Sequence, residues 1–201
     1  MIRKAVLILI LAAAACAAHA AQRPAVVYFS RGGNTRTDLD ASSSPSLRRD
    51  ANGEYRSDAQ EIAGWIADET GGELFAVKTV KKYLAGYDEV ISEARSEKRA
   101  KARPALAEKL DGLGSYATVY LVFPNWWGDL PMPLYTFFET HELAAKKLIV
   151  VVTSGGSGFS DTIRTLRRLV PKAEVVKGPH IYKRSMDTAK AEILNWLRGQ
   201  R

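Results

Sequence analysis

The sequence contains a single cysteine, Cys16, among 201 residues. One cysteine cannot form a disulfide within the chain, so the fold must be held together by packing. No apolar run reaches the roughly 20 residues that cross a bilayer, and no basic run is interleaved with aromatic residues as in nucleic-acid-binding proteins. We therefore expect neither a disulfide scaffold, nor a membrane span in the mature chain, nor a DNA or RNA partner.

Residues 1–20 predict a secretory signal peptide. Arg3 and Lys4 form a charged start, residues 5–15 are apolar, and Ala18-His19-Ala20 is a small-x-small cleavage site. We expect export, to the periplasm. Lipoprotein processing at Cys16 is the less favoured alternative, because position 13 is Ala where Leu or Val is usual.

The remaining chain, 21–201, has the size of one domain, and its 46% hydrophobic content can build a full core. Removing Arg3 and Lys4 reduces the 29 basic residues to 27 against 22 acidic ones, a net charge of +5. This charge indicates either a solvated basic surface or one that attracts an acidic partner.

Short apolar runs alternate with amphipathic segments, a pattern typical of βαβ units. The apolar runs predict strands near 25–29, 73–77, 118–123, 148–152 and 174–176, and their continuous character predicts burial on both faces. The segments between them predict helices near 59–69, 87–99, 133–141, 160–169 and 186–197. The expected fold is α/β, a three-layer, doubly wound, five-stranded parallel sheet of order 2-1-3-4-5.

Residues 37–57 interrupt this pattern because they contain almost no apolar side chains. They are expected to form a long polar insertion loop within the single domain. Loops of this length are either functional or disordered. The segment could therefore be a lid over the site, or a disordered or surface insertion without a role in it.

Three loops follow predicted strands, and ligands of open parallel sheets bind beyond the carboxyl ends of strands. The first is Ser30, Arg31, Gly32, Gly33, Asn34 and Thr35. Its glycines and short polar side chains suit a nest of N–H groups around a phosphate monoester. A tight turn at the edge of a sheet would have a similar sequence.

The second loop carries two adjacent tryptophans and the third is rich in glycine. The second contains Pro124, Asn125, Trp126, Trp127 and Gly128. Neighbouring residues of an extended segment point in opposite directions, so one indole is expected to face a cleft as a flat wall for a planar heterocycle. Core packing is the alternative. The third loop is Ser154, Gly155, Gly156, Ser157 and Gly158, whose composition favours close approach of a ligand to the main chain.

Together the S-x-x-G-N-T, N-W-W-G and T-x-G-G-S-G loops resemble those of the flavodoxin-like family over nearly the whole mature chain. The resemblance implies the cofactor FMN. It implies that Ser30, Gly33, Asn34 and Thr35 hold the phosphate, that Pro124 to Gly128 border the isoalloxazine ring, and that Ser154 to Gly158 complete its polar edge.

The start of the first helix departs from the family pattern, because the helix begins only near Asp58 rather than directly after the first loop. Asp58 would place a carboxylate against the phosphate unless it turns away to cap the helix. Phosphate contacts could then come from Asn34 and Thr35, from Ser57, from both or from neither.

The resemblance implies a redox protein, acting in electron transfer or in FMN-dependent reduction of a quinone-like acceptor. Its partner would be a redox protein or a small-molecule electron acceptor. The alternative is a non-catalytic flavodoxin-fold module with weak or no FMN, so enzyme activity remains open. A hydrolase is disfavoured because Ser154 and Ser157 have no G-x-S-x-G elbow and no histidine is expected to pair with them. His141 and His180 are expected at the surface or at helix ends.

Overall fold

The computed structural model describes residues 23–35, 47–49, 55–84 and 86–200. The predicted signal peptide, Cys16 and most of the predicted 37–57 insertion lie outside these residues.

Five parallel strands form the central sheet, and two short strands form a separate hairpin. In chain order the seven are β1 (Ala25–Tyr28), β2 (Leu47–Arg49), β3 (Tyr55–Ser57), β4 (Glu73–Ala76), β5 (Thr118–Pro124), β6 (Lys147–Ser154) and β7 (Glu174–Tyr182). The sheet order is β4-β1-β5-β6-β7, with β2 and β3 pairing only with each other. Counting only sheet members, this is 2-1-3-4-5, which confirms the predicted topology.

Five helices cover the two faces of the sheet: α1 (Asp58–Thr70), α2 (Tyr87–Ala100), α3 (Met132–Thr140), α4 (Thr162–Leu169) and α5 (Met186–Arg198). Ile62 of α1 and Ile193 of α5 are buried in one core cluster. Phe137 of α3 and Leu166 of α4 are buried in the other. The predicted α/β fold with three layers is therefore confirmed.

Burial of strands on both faces holds for the interior of the sheet but is wrong at its two edges, where Glu174 and Lys177 of β7 are also exposed. In β4, Glu73 is exposed and Leu74 is 48% exposed. The reason is position: β4 pairs only with β1, and an outermost strand is less completely covered by helices. An apolar run alone does not reveal whether its strand lies at the edge or in the interior of the sheet.

The segment 37–57 is not wholly a loop. β2 and β3 pair antiparallel, with Leu47 opposite Ser57 and Arg49 opposite Tyr55. Strands of three residues are too short to produce a recognisable alternation of polar and apolar side chains. The hairpin also runs without a break into α1, because Ser57 ends β3 and is the N-cap of that helix.

The chain reverses direction across the sheet between β1 and β5. From β1 it passes outward to β4 and then returns to β5 on the opposite side of β1. Such a switch point leaves a crevice beyond the carboxyl ends of the two strands. Over the described ranges, no helix has the length and apolar character to span a bilayer.

Candidate functional site

A cleft of about 450 Å³ opens beyond the carboxyl ends of β1, β5 and β6. Its volume lies within the range usual for small-molecule sites. All three predicted loops contribute to its lining, through Ser30, Arg31, Pro124, Asn125, Trp126, Trp127, Gly128, Ser154, Gly155 and Ser157. The other predicted site residues do not line it: Gly32, Gly33, Asn34, Thr35, Gly156 and Gly158.

The two tryptophans stand at the start of a tight two-residue turn. Trp126 and Asp129 exchange main-chain hydrogen bonds of 3.0 and 3.1 Å, and between them Trp127 and Gly128 have φ of 55° and 76°. A positive φ at a bulky residue costs on the order of 1–3 kcal/mol and tends to occur at functional sites. The turn leaves Trp127 44% exposed at the mouth of the cleft.

Helix α2 holds Trp127 in this position. The indole Nε1 donates to the carbonyl of Ile91 at 3.0 Å, and the Arg95 guanidinium lies 4.9 Å from the ring centroid. The Lys98 ammonium donates to the Trp127 carbonyl at 2.6 Å. Ring and main chain are thus fixed from one helix, which gives a rigid aromatic wall.

Trp126 takes the inner position. Its ring meets Phe29 edge-on at a centroid distance of 5.3 Å and Tyr83 at 5.2 Å. It is half-buried against the core and also lines the cleft. Trp126 therefore both packs against the core and faces the cleft, so each of the two alternatives given by the sequence applies to it.

The first loop differs from the resemblance-based expectation at Asn34. The Asn34 amide donates to the carbonyls of Ser30 and Val77, both at 2.9 Å, and its Oδ1 accepts from the main-chain N–H of Thr79 at 2.7 Å. Both hydrogens of the amide are thus used, and a phosphate can only accept hydrogen bonds. Asn34 therefore ties the loop to the chain after β4 and has no side-chain donor left for a phosphate.

Thr35 is likewise turned inward. Its hydroxyl donates to the Arg31 carbonyl at 2.7 Å, and the residue is buried. Of the alternatives left open by the sequence, the structure brings Ser57, rather than Asn34 and Thr35, to the cleft.

The end of the cleft near β1 is polar and buried. Ser30, Arg31, Ser57 and Asp58 line it and are each at most 4% exposed. Burial lowers the pKa of the Arg31 guanidinium. The Ser57 hydroxyl has no hydrogen-bond partner among the described residues, although buried polar groups are normally paired. The first turn of α1 begins here, so its unpaired main-chain N–H groups lie at the same end.

The third loop contains an interaction that the sequence interpretation missed. The Ser154 hydroxyl lies 2.7 Å from Nε2 of His180, so the expectation of a serine without a histidine partner is wrong. His180 is in β7 and Ser154 ends the neighbouring strand β6. Adjacent parallel strands bring together residues 26 positions apart, which no local motif reveals.

Asn125 joins the second loop to the third. Its amide donates to the Gly158 carbonyl at 2.8 Å and to the Ser160 hydroxyl at 3.2 Å. Its Oδ1 is buried, with no partner in the described part of the chain. The cleft therefore contains an unpaired acceptor at Asn125 and an unpaired hydroxyl at Ser57.

Further lining residues were not predicted as site residues. Lys183, which follows β7, lies close to Gly155. Helix α2 supplies Tyr87, Val90, Ile91 and Ala94, a set with helical spacing that a sequence reader assigns to core packing. Helical spacing alone does not distinguish an apolar stripe that covers a core from one that covers a ligand.

Comparison with known proteins identifies the family. The family model for flavodoxin matches residues 54–199, most of the chain. The chain belongs to the flavodoxin family. Its match begins three residues before Ser57, so it spans the second and third loops but not the first.

Three solved structures share the fold of this chain. A protein assigned as a flavoprotein from Bacteroides uniformis is 26% identical, with a TM-score of 0.66 over 88% of this chain and 97% of its own. A second such protein, from Bacteroides eggerthii, is 22% identical, with a TM-score of 0.61 over 85% and 97%. A flavoprotein in complex with FMN from Lactobacillus acidophilus is 16% identical, with a TM-score of 0.57 over 88% and 99%. Comparison with curated protein sequences gave no match.

Proposed function

We propose that this flavodoxin-family protein binds FMN in the cleft and acts as a redox protein, in electron transfer or in reduction of a quinone-like acceptor. The observation that carries the proposal is the fixed, exposed indole of Trp127 beside a cleft of about 450 Å³. The structural likeness to an FMN-bound flavoprotein from Lactobacillus acidophilus supports the same cofactor.

The residues present fit the ring of a flavin. Trp127 offers a flat aromatic face, and α2 adds apolar lining at Val90 and Ile91. The unpaired Oδ1 of Asn125 is an acceptor suited to the single N–H of the isoalloxazine ring. Gly155 allows the main chain to approach the ring without the obstruction of a side chain.

The residues at the inner end fit a phosphate with one exception. Ser30 and Ser57 supply hydroxyls, Arg31 supplies positive charge, and the first turn of α1 supplies main-chain N–H groups. Asp58 opposes them, because its carboxylate lines the same end at 2% exposure. The balance between Arg31 and Asp58 decides whether the site prefers a phosphorylated flavin.

Bound FMN would supply the chemistry of hydride and single-electron transfer. The protein would position the ring by Trp127 and exclude water from its inner face by Trp126 and α2. No group of three or more metal-ligating side chains is found over the described ranges.

A non-catalytic binding module is the second candidate, and Asp58 is the observation that favours it. A buried carboxylate at the phosphate end lowers affinity for a dianion. Such a module would keep the fold and use the cleft for a ligand without phosphate, or for a protein partner.

A flavin titration of the purified protein separates the two candidates. We expect yellow protein, or colourless protein that binds FMN and quenches its fluorescence. Trp126→Ala and Trp127→Ala should each weaken binding and alter the flavin spectrum. Colourless protein that ignores both FMN and riboflavin would overturn the redox proposal, and unchanged affinity in both variants would overturn the ring assignment.

A further inference from the structure

The Ser154 hydroxyl has three hydrogen-bonding neighbours. The main-chain N–H groups of Gly156 and Gly158 both approach Oγ at 3.1 Å, and Nε2 of His180 lies 2.7 Å away. Ser154 is 7% exposed and lines the cleft. One side chain therefore holds two main-chain N–H groups of the third loop.

The geometry determines which atom carries the shared proton. A hydroxyl has one hydrogen and two lone pairs. Main-chain N–H groups can only donate, so Gly156 and Gly158 use both lone pairs of Oγ. The hydroxyl hydrogen must then be donated to Nε2 of His180, and the histidine proton must reside on Nδ1.

A β-bulge in β7 brings His180 to this position. Val150 pairs with Lys177 and Val152 with His180, so β7 has one extra residue in this interval. Gly178 allows the bulge, since a Cβ there would lie 2.9 Å from the Val150 carbonyl oxygen. A bulge redirects the side chains that follow it.

Contacts with Phe159 show the effect of the bulge. Residues three apart in a regular strand point to opposite faces. Here Lys177 Nζ lies 4.7 Å from the Phe159 ring centroid, and the His180 ring lies 6.1 Å from the same ring. Both side chains are thus on one face, the face that also holds Ser154.

We propose that neutral His180 is a positioning residue: by accepting the Ser154 hydroxyl hydrogen, it leaves Oγ free to hold Gly156 and Gly158 and so turns Gly155 and Ser157 toward the cleft. The role in ligand binding rests on the proposed flavin site. A proton gained at Nε2 would bring a third donor to an oxygen with two lone pairs. One glycine N–H would then be released, and the loop would loosen.

Two charged groups lie around this arrangement. Lys177 shares the Phe159 ring with His180, and Lys183 lies against Gly155.

Nitrogen-detected NMR of the wild-type protein tests the tautomer without any ligand. The chain has three histidines, and His19 lies in the predicted signal peptide, so a mature sample gives two imidazoles. We expect His180 to show an unprotonated Nε2 near neutral pH. On acidification, the amide signals of Gly156 and Gly158 should shift together with the His180 ring. A protonated Nε2 near neutral pH, or glycine signals that ignore the ring, would overturn the proposal.

Two variants test the consequence for binding. His180→Gln keeps an acceptor for the Ser154 hydrogen, whereas His180→Ala removes it. Riboflavin is the probe, because the phosphate of FMN itself titrates near pH 6. At pH 8 we expect riboflavin binding about fivefold weaker in His180→Ala, the loss of one hydrogen bond, and within about twofold of wild type in His180→Gln.

The pH profile separates positioning from a merely structural role. Wild-type affinity for riboflavin should fall from pH 8 to pH 5.5, while that of His180→Gln should stay level. Equal slopes in the two proteins would contradict the proposal. If the wild type binds no flavin at all, the proposed function fails, and the tautomer and glycine signals still decide the role of His180.

Discussion

The indole Nε1 of Trp127 donates a hydrogen bond of 3.0 Å to the main-chain carbonyl of Ile91. The bond joins the turn after β5 to α2 and fixes the plane of the indole ring, which we propose as the wall against which the flavin lies. Because α2 also lines the cleft through Ile91, the wall and the aromatic face are held as one unit.

Trp127→Phe keeps an aromatic face but removes the indole N–H. We expect FMN affinity to fall about fivefold, the value of one hydrogen bond. Trp127→Ala should lower it roughly ten- to a hundredfold, since stacking of a planar base on an aromatic ring is worth about 1–3 kcal/mol. Fluorescence titration measures both. Trp196→Phe, in α5 on the opposite face of the sheet, is the control and should bind like the wild type.

Asp58→Asn should raise affinity for FMN and leave affinity for riboflavin nearly unchanged. The substitution removes a buried negative charge at the end assigned to the phosphate. We expect the affinity for FMN to rise about tenfold, because the repulsion between the Asp58 carboxylate and the phosphate is removed. Parallel titrations with the two flavins measure the difference. An equal gain for both, or a loss for FMN alone, would contradict the placement of the phosphate.

Asn34→Ala tests the structural role assigned to this residue. The change removes the buried hydrogen bonds around the Asn34 amide and leaves the Val77 carbonyl and the Thr79 N–H without their partner. We expect the free energy of unfolding to fall by about 2–4 kcal/mol. Urea denaturation measures it, with exposed Asn195→Ala in α5 as the matched control. A stable variant that had lost FMN affinity would favour the phosphate role instead.

Glu97→Gln should stabilise the protein at high pH but not at low pH. Burial is the main cause that raises the pKa of Glu97, and nearby Glu93 adds to it, while the hydrogen bond from Tyr83 and the charge of Lys81 act in the opposite direction. A carboxyl whose pKa is raised by folding contributes stability that is present below its unfolded pKa, near 4.5, and is lost as pH rises through the folded value.

Glutamine keeps the acceptor for the Tyr83 hydroxyl, 2.8 Å from Glu97 in the wild type, and removes the charge. The Tm of Glu97→Gln should therefore exceed that of the wild type at pH 8, and the two should converge by pH 4. Glu192→Gln, at an exposed position of α5, is the matched control and should leave the Tm close to that of the wild type at both pH values. A gain for Glu97→Gln that is the same at both pH values would contradict a shifted carboxyl.

The strands and helices of the sheet could be predicted from sequence because continuous apolar runs mark the strands and helical spacing marks the helices, and alternating strands and helices favour the order 2-1-3-4-5. Residues 118–123 and 148–152 are continuous apolar runs, and both are strands of the sheet. The short β2 and β3 could not be predicted, since three residues contain too little periodicity. Leu74 is exposed because β4 is an edge strand of the sheet. The sequence of one strand does not show whether it lies at the edge or in the interior.

The site was predictable where a local motif faces the cleft and not where tertiary contacts decide. Trp127 and Gly155 line the cleft, as the sequences of their loops predict. Asn34, in the same family pattern, is instead engaged by Val77 and Thr79, 43 and 45 positions away. The bulge at Gly178, which turns His180 toward Ser154, has no distinct sequence signal, so the sequence alone places His180 at the surface or at a helix end.

The hairpin of β2 and β3 and the wall of the cleft share a residue. Ser57 is the last residue of β3, the N-cap of α1 and a lining residue of the cleft. A two-stranded hairpin has little stability of its own, so its strands can shift more easily than those of the central sheet. Any displacement of β3 would also move Ser57, and with it the inner end of the cleft.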